Sequence, residues 1–161
     1  MVEVSQFKDA MAQLASAVHI VTTSGETGQH GFTASAVCSV TDSPPTLLVC
    51  INSNARAYEH FIKNRVLMVN TLTAEQSSLS NIFASPLSQE ERFSNASWTT
   101  LTTGSPMLQD ALINFDCEIT EIKHVGTHDI LICKIVDIRQ SDKKEALVYH
   151  NRSYHILKFL K

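Results

Sequence analysis

A chain of 161 residues suits one domain, read here as spanning 1–161, and is long enough to bury a core without staples. At 43% hydrophobic and 18% charged residues its composition is that of a soluble globular protein, and a net charge of −3 with no Lys/Arg cluster argues against nucleic acid as the main partner. No apolar run approaches the ~20 residues of a membrane helix, and a start at Met1-Val2-Glu3 without a basic stretch predicts no secretory leader.

In chain order, Phe7, Met11, Leu14 and Val18 fall near helical spacing and predict a helix over residues 7–17 with one apolar face. The β-branched run 18–23 predicts a strand, Gly25 to Gly28 a turn, and residues 32–40 a second strand of small and β-branched side chains. Pro44-Pro45 punctuates, and the apolar run 46–51 predicts a strand buried on both faces. Asn54 is the expected cap of a helix reaching Lys63, residues 65–72 read as a strand, and Thr73 with Gln76 form a capping box for a helix over 74–83. Residues 85–98 read as a loop with at most one helical turn. Residues 111–123 and 129–140 are two long strands joined by a turn at 124–128, and 146–150 closes the set. Strands mostly follow strands, which predicts a mainly β fold with short helices, an antiparallel barrel or α+β arrangement rather than a doubly wound sheet.

Several chemistries are absent. With five glycines the chain has no G-x-G-x-x-G and no G-x-x-x-x-G-K-[ST], so neither a Rossmann nor a P-loop phosphate site is expected. G-x-S-x-G and H-E-x-x-H are missing too. Seven histidines are scattered, and Glu90-Glu91 reads as a solvated pair. Cys38, Cys50, Cys117 and Cys133 are widely spaced inside strand-like runs and are expected to be buried free thiols of a reducing cytoplasm, not zinc ligands.

Three segments combine small polar residues with tight backbone. In 31–36, small side chains would let a flat ligand lie on the backbone while Thr33 and Ser35 bond its edge; a plain barrel strand explains them equally. In 52–55, backbone N–H groups at a helix start could take a phosphate, or Asn54 could simply cap. In 126–128, a tight turn could aim His128 at a neighbouring site or leave it solvated. Arg152 and Tyr154 add a cation and an aromatic near the C-terminus.

Taken in order, the strings FKDAMAQLASAVHIVTT, GFTASAVCSVTDSPPTLLVCIN and VLMVNTL, then EERFS with Trp98, the VGTH turn and LVYHNRSYH, resemble the flavin reductases of the FMN-binding split-barrel class. The resemblance is closest to the reductase component of two-component aromatic monooxygenases of the 4-hydroxyphenylacetate 3-monooxygenase type, and runs over residues 7–157. It implies a six-stranded antiparallel split barrel, a homodimer with flavin near the subunit interface, FMN or FAD and NADH or NADPH as cofactors, and a separate large oxygenase fed by diffusible reduced flavin. By position, Thr33, Ala34, Ser35 and Ala36 would line the isoalloxazine, and Asn52, Ser53, Asn54 and Ala55 would meet ribityl or phosphate oxygens. Phe83 would lie beside the flavin and Arg92 and Phe93 near its phosphate or adenylate end. His128, the catalytic-site candidate, and Tyr154 would frame the nicotinamide. A non-catalytic electron-transfer flavoprotein and a dimeric interaction domain of the same fold are the alternatives.

Overall fold

The computed structural model describes residues 1–157. Helix α1 (Val4–Met11) stops short of residue 17 because Gln13 and Leu14 bond back to Ala10 and Met11, tightening the last turn. Its apolar face forms but packs on nothing among the described residues: no α1 residue is buried, and Phe7 remains 57% exposed. The two-residue strand β1 (Ser16–Ala17) leads into β2 (His19–Thr23), five residues that are all buried.

The predicted strand over 32–40 is two strands. β3 (His30–Ala34) and β4 (Val37–Asp42) are separated by Ser35 and Ala36, and they lie at opposite edges of one sheet. The Pro pair makes a tight hairpin into β5 (Pro45–Asn52), with Pro45 its first residue. Residues 53–57 form turns and a bend before α2 (Tyr58–Asn64), so Asn54 is not the helix cap. The Asn52 side chain accepts the Asn54 N–H (2.8 Å) and closes the turn in its place. Arg65, in the left-handed region at φ 58°, ends α2 and starts β6 (Val66–Thr71).

Gln76 Oε1 accepts the Thr73 N–H at 2.8 Å as the capping pattern predicts, opening a 3₁₀ turn (Ala74–Gln76) that runs into α3 (Ser77–Ala84). The segment read as a loop contains α4 (Gln89–Phe93), whose Ser88 and Glu91 form a reciprocal capping box. The minor pair β7 (Trp98–Thr99) and β8 (Met107–Leu108) follows. Two 13-residue strands, β9 (Ile113–Val125) and β10 (His128–Gln140), and the hairpin β11 (Leu147–His150) with β12 (Ser153–Ile156) complete the described chain.

The main sheet is antiparallel with order β3-β2-β6-β9-β10-β5-β4: seven strands and not closed, rather than the expected six-stranded barrel. The extra strand comes from the break at Ser35-Ala36, which splits one predicted strand into both sheet edges. Ala34 and Val37 are three residues apart, so the edges approach within about 10 Å there. The sheet must therefore roll toward itself around a seam. Inside lies one core of Val21, Val49, Ile51, Phe61, Leu67 and Leu131; a second, of Ile20, Leu72, Phe83, Leu108 and Leu147, fills the space under α3 and β11. Cys117 and Cys133 are buried as expected. Cys38 is exposed and Cys50 half-buried, because their alternation on β4 and β5 turns them away from the core.

Candidate functional site

The open edge of β3 is where the fold leaves backbone groups free. Gly31 donates its N–H to Gln89 Oε1 (3.0 Å) and its carbonyl accepts from Arg92 (2.8 Å), so these groups face away from β2. Antiparallel alternation turns the N–H and C=O of Thr33 to the same side. Three adjoining cavities of about 480, 280 and 240 Å³ run along this edge, and Thr33 lines all of them. Its hydroxyl is committed, donating to the Ser80 carbonyl at 2.6 Å, so it is the Thr33 backbone that remains available.

The smallest cavity lies over the seam. Thr33, Ala34, Ser35 and Ala36 form one wall; Cys50, Asn52, Ala55 and His128 face them. The small side chains of 34–36 leave a flat, shallow surface. Ser53 donates both its N–H (3.0 Å) and its hydroxyl (3.1 Å) to the Thr127 carbonyl, tying the end of β5 to the β9–β10 turn. Thr127 Oγ1 lies 2.9 Å from His128 Nδ1 and fixes that ring. Ser53 and Asn54, predicted to meet ribityl or phosphate oxygens, line none of the three cavities.

The largest cavity is cationic. Arg56 and Arg92 both line it with Ala55, Phe83 and Pro86, and no acidic residue does. Arg92 is buried (8% exposed), held by the Gly31 and Ser85 carbonyls at 2.8 and 2.5 Å, and its Nε has no partner. Burial, and then the Arg56 charge, pull its pKa below the ordinary value. A guanidinium that is desolvated, beside a second cation and without a carboxylate, favours an anion in the cavity. Arg56 is missing from the sequence-derived set, which found no basic phosphate cluster. The two arginines are 36 residues apart in the chain, Arg56 in the turn before α2 and Arg92 in α4, and only the fold brings them to one cavity.

Phe83 lines this cavity while packing in an aromatic cluster with Phe93 (5.3 Å) and Trp98 (5.6 Å). Phe93 lines none of the three and stands one layer behind. Gly31 is required here, since a Cβ on it would meet Phe83 Cε1 at 2.9 Å. On the opposite face of β3, His30 and His60 stack with ring centroids 3.2 Å apart; burial first, then His60 and Arg92, lower the His30 pKa.

The third cavity is polar and aromatic, lined by Ser80, Asn81, Tyr149 and Tyr154 beside Thr33 to Ser35. The Tyr154 hydroxyl donates to Asn81 Oδ1 (3.0 Å) and lies 2.8 Å from Ser80 Oγ, holding the β11–β12 hairpin against α3. Arg152 is not at the site: it pairs with Asp9 at 2.6 Å, and with Asn151 takes the positive φ of a two-residue hairpin turn.

Residues 11–158 match the family described as "Flavin reductase like domain". The FMN reductase (NADH) RutF of Pantoea ananatis is 54% identical over 156 residues, covering 97% of this chain and 82% of that one. A crystal structure from Haemophilus somnus, described as a candidate flavin reductase, superposes with a TM-score of 0.95 at 94% identity, covering 97% of this chain and 100% of that one. BorF, the flavin reductase component of a bacterial two-component tryptophan halogenase, gives 0.90 at 25% identity, covering 98% and 100%. With the open β3 edge, the cationic cavity and these likenesses in hand, the chain belongs to the flavin reductase like domain family.

Proposed function

We propose that the chain, taken as one unit over residues 1–161, is an NADH- or NADPH-dependent flavin reductase acting on an exchangeable FMN or FAD. The observation that carries this is the continuity of the site: a free backbone edge flanked by small residues leads directly to two uncompensated guanidiniums. That sequence of surfaces fits a flat heteroaromatic ring with an anionic tail. The backbone of Thr33 to Ala36 would hold the ring, with donors placed where its oxygens and ring nitrogens gain charge. Arg56 and Arg92 would take the phosphate. His128 and Tyr154, on opposite sides of Thr33 to Ser35, would frame the nicotinamide. Reduced nicotinamide supplies the hydride and the flavin accepts it. The side chains supply alignment and water exclusion, and no protein acid or base is needed for that step.

A homodimer belongs to the same proposal, supported by α1, whose Val4, Phe7 and Met11 present an apolar face on which nothing packs among the described residues. The proposal extends also to a separate oxygenase supplied with reduced flavin, an aromatic monooxygenase of the 4-hydroxyphenylacetate type, in a cytoplasmic setting. No helix among the described residues is long and apolar enough to cross a membrane. The test is NADH oxidation by purified protein with and without added FMN or FAD. Multiple turnovers only with added flavin are expected. A bound flavin without turnover would instead favour an electron-transfer protein, and no flavin binding would leave an interaction domain.

A further inference from the structure

Asp129 is the second residue of β10, directly after His128, and its side chain is 4% exposed. Oδ2 accepts the Tyr58 hydroxyl at 2.6 Å and Oδ1 lies 2.7 Å from His124 Nδ1. These two bonds hold the carboxyl below its ordinary pKa, Tyr58 contributing most and His124 next. A buried carboxylate costs several kcal/mol in desolvation unless its bonds are well made, and here both go to elements that form the site.

Tyr58 opens α2 and follows Ala55, Arg56 and Ala57, which line the cationic cavity. His124 is the cross-strand partner of Asp129 at the base of the 125–128 turn, the turn that carries His128 and whose Thr127 carbonyl receives Ser53. One carboxylate therefore grips the Arg56 wall with one oxygen and the His128 wall with the other. Asp129 lines none of the three cavities.

We infer that Asp129 is a positioning residue that sets the Arg56 segment and the His128 turn relative to the open β3 edge, acting through Tyr58 on flavin affinity and through His124 on nicotinamide affinity. This rests on the reductase reading above.

The test uses the full chain and steady-state NADH oxidation, varying FMN and NADH separately, because Asp129→Ala would leave Tyr58 and His124 unpaired and endanger folding. Tyr58→Phe deletes one bond and is expected to raise the KM for FMN about fivefold, with the KM for NADH and kcat within about twofold. His124→Ala is expected to do the reverse, raising the KM for NADH about fivefold. His124→Asn, whose amide nitrogen can stand where Nδ1 stands, should recover most of that loss. Lower thermal stability in both single variants with both KM values unchanged overturns the proposal, as does a fall in kcat alone. A wild-type protein that binds FMN but never oxidises NADH refutes the reductase reading and the His124 arm with it. Titration of FMN by its fluorescence against wild type and Tyr58→Phe then decides the Tyr58 arm, equal affinities refuting it.

Discussion

Arg56→Ala probes the proposed phosphate end of the cationic cavity separately from the fold. The Arg56 side chain is exposed, and its hydrogen bond to the protein is a long one, Nη1 to the Pro86 carbonyl at 3.3 Å. Removing it orphans no buried group, so stability should change by no more than about 0.5 kcal/mol. Arg92 is a poor probe by comparison: its loss would unpair the Gly31 and Ser85 carbonyls inside the protein. A hydrogen bond between Arg56 and a phosphate at a partly solvated mouth is worth roughly 1–2 kcal/mol, or about 5- to 30-fold in affinity. The expected result is an FMN KM raised by that factor with kcat at saturating FMN unchanged. Riboflavin has no phosphate and should be used equally by wild type and variant. The FMN advantage should also shrink as salt is raised, since the pairing is screened. NADH oxidation followed by absorbance, with FMN and riboflavin titrated in parallel, gives each quantity. An equal rise for riboflavin, or none for FMN, would refute the assignment of this cavity to the phosphate.

Other expectations follow from single contacts. His128→Ala should raise the KM for NADH about tenfold or more while FMN affinity stays within about twofold; a collapse of FMN affinity at normal saturated turnover would remove His128 from the nicotinamide side. His19 is buried and neutral, 3.0 Å from Thr71 Oγ1, with its pKa lowered by burial from 6.5 to about 4. The unfolded chain therefore binds the extra proton first, so stability is complete above pH 6.5 and falls between 6.5 and about 4, by roughly 3 kcal/mol in all; urea midpoints that do not drop across this window would exclude it. Gly31→Ala places a methyl 2.9 Å from Phe83 Cε1 and 3.2 Å from Thr22 Cγ2, and the Phe83 ring cannot swing away from Phe93 and Trp98. A cost of about 1–3 kcal/mol, read as a drop of several degrees in Tm, is expected, and an unchanged Tm would mean the aromatic cluster yields.

Local pattern carried most of the elements. The β-branched run in β2, the capping residues Thr73 with Gln76, and the long pair β9–β10 all stand close to where the sequence places them. What it did not carry was pairing. Residues 32–40 look like one strand because nothing local marks Ser35-Ala36 as a break; only the pairing of β3 with β2 and of β4 with β5 pulls the halves to opposite edges. Asn54 looks like a cap by type, yet Asn52 competes for its N–H and delays the helix. Ser88 with Glu91 was a readable capping box inside a segment otherwise read as a loop. At the site, Thr33 to Ala36 and His128 were each legible as short motifs, and the pairing of β10 with β5 sets His128 opposite Asn52 at the same cavity. Arg56 escaped because an arginine after Asn-Ser-Asn-Ala has no signature of its own; its meaning depends on Arg92, which lines the same cavity from α4.

Among the described residues β3 and β4 end the main sheet unpaired, with a consequence for assembly as well as chemistry. An exposed strand edge is a template onto which another chain can add, and proteins usually blunt such edges with charge, bulges or cover. Here Gln89 and Arg92 occupy the near end of the β3 edge, while β4 is exposed from Cys38 to Asp42. One edge is thus blunted by the chain's own side chains, and the other keeps the open side of a template. A longer link between Ala34 and Val37 would let the ends of the two edge strands part, so this connection, unlike a surface loop, leaves little freedom to vary in length.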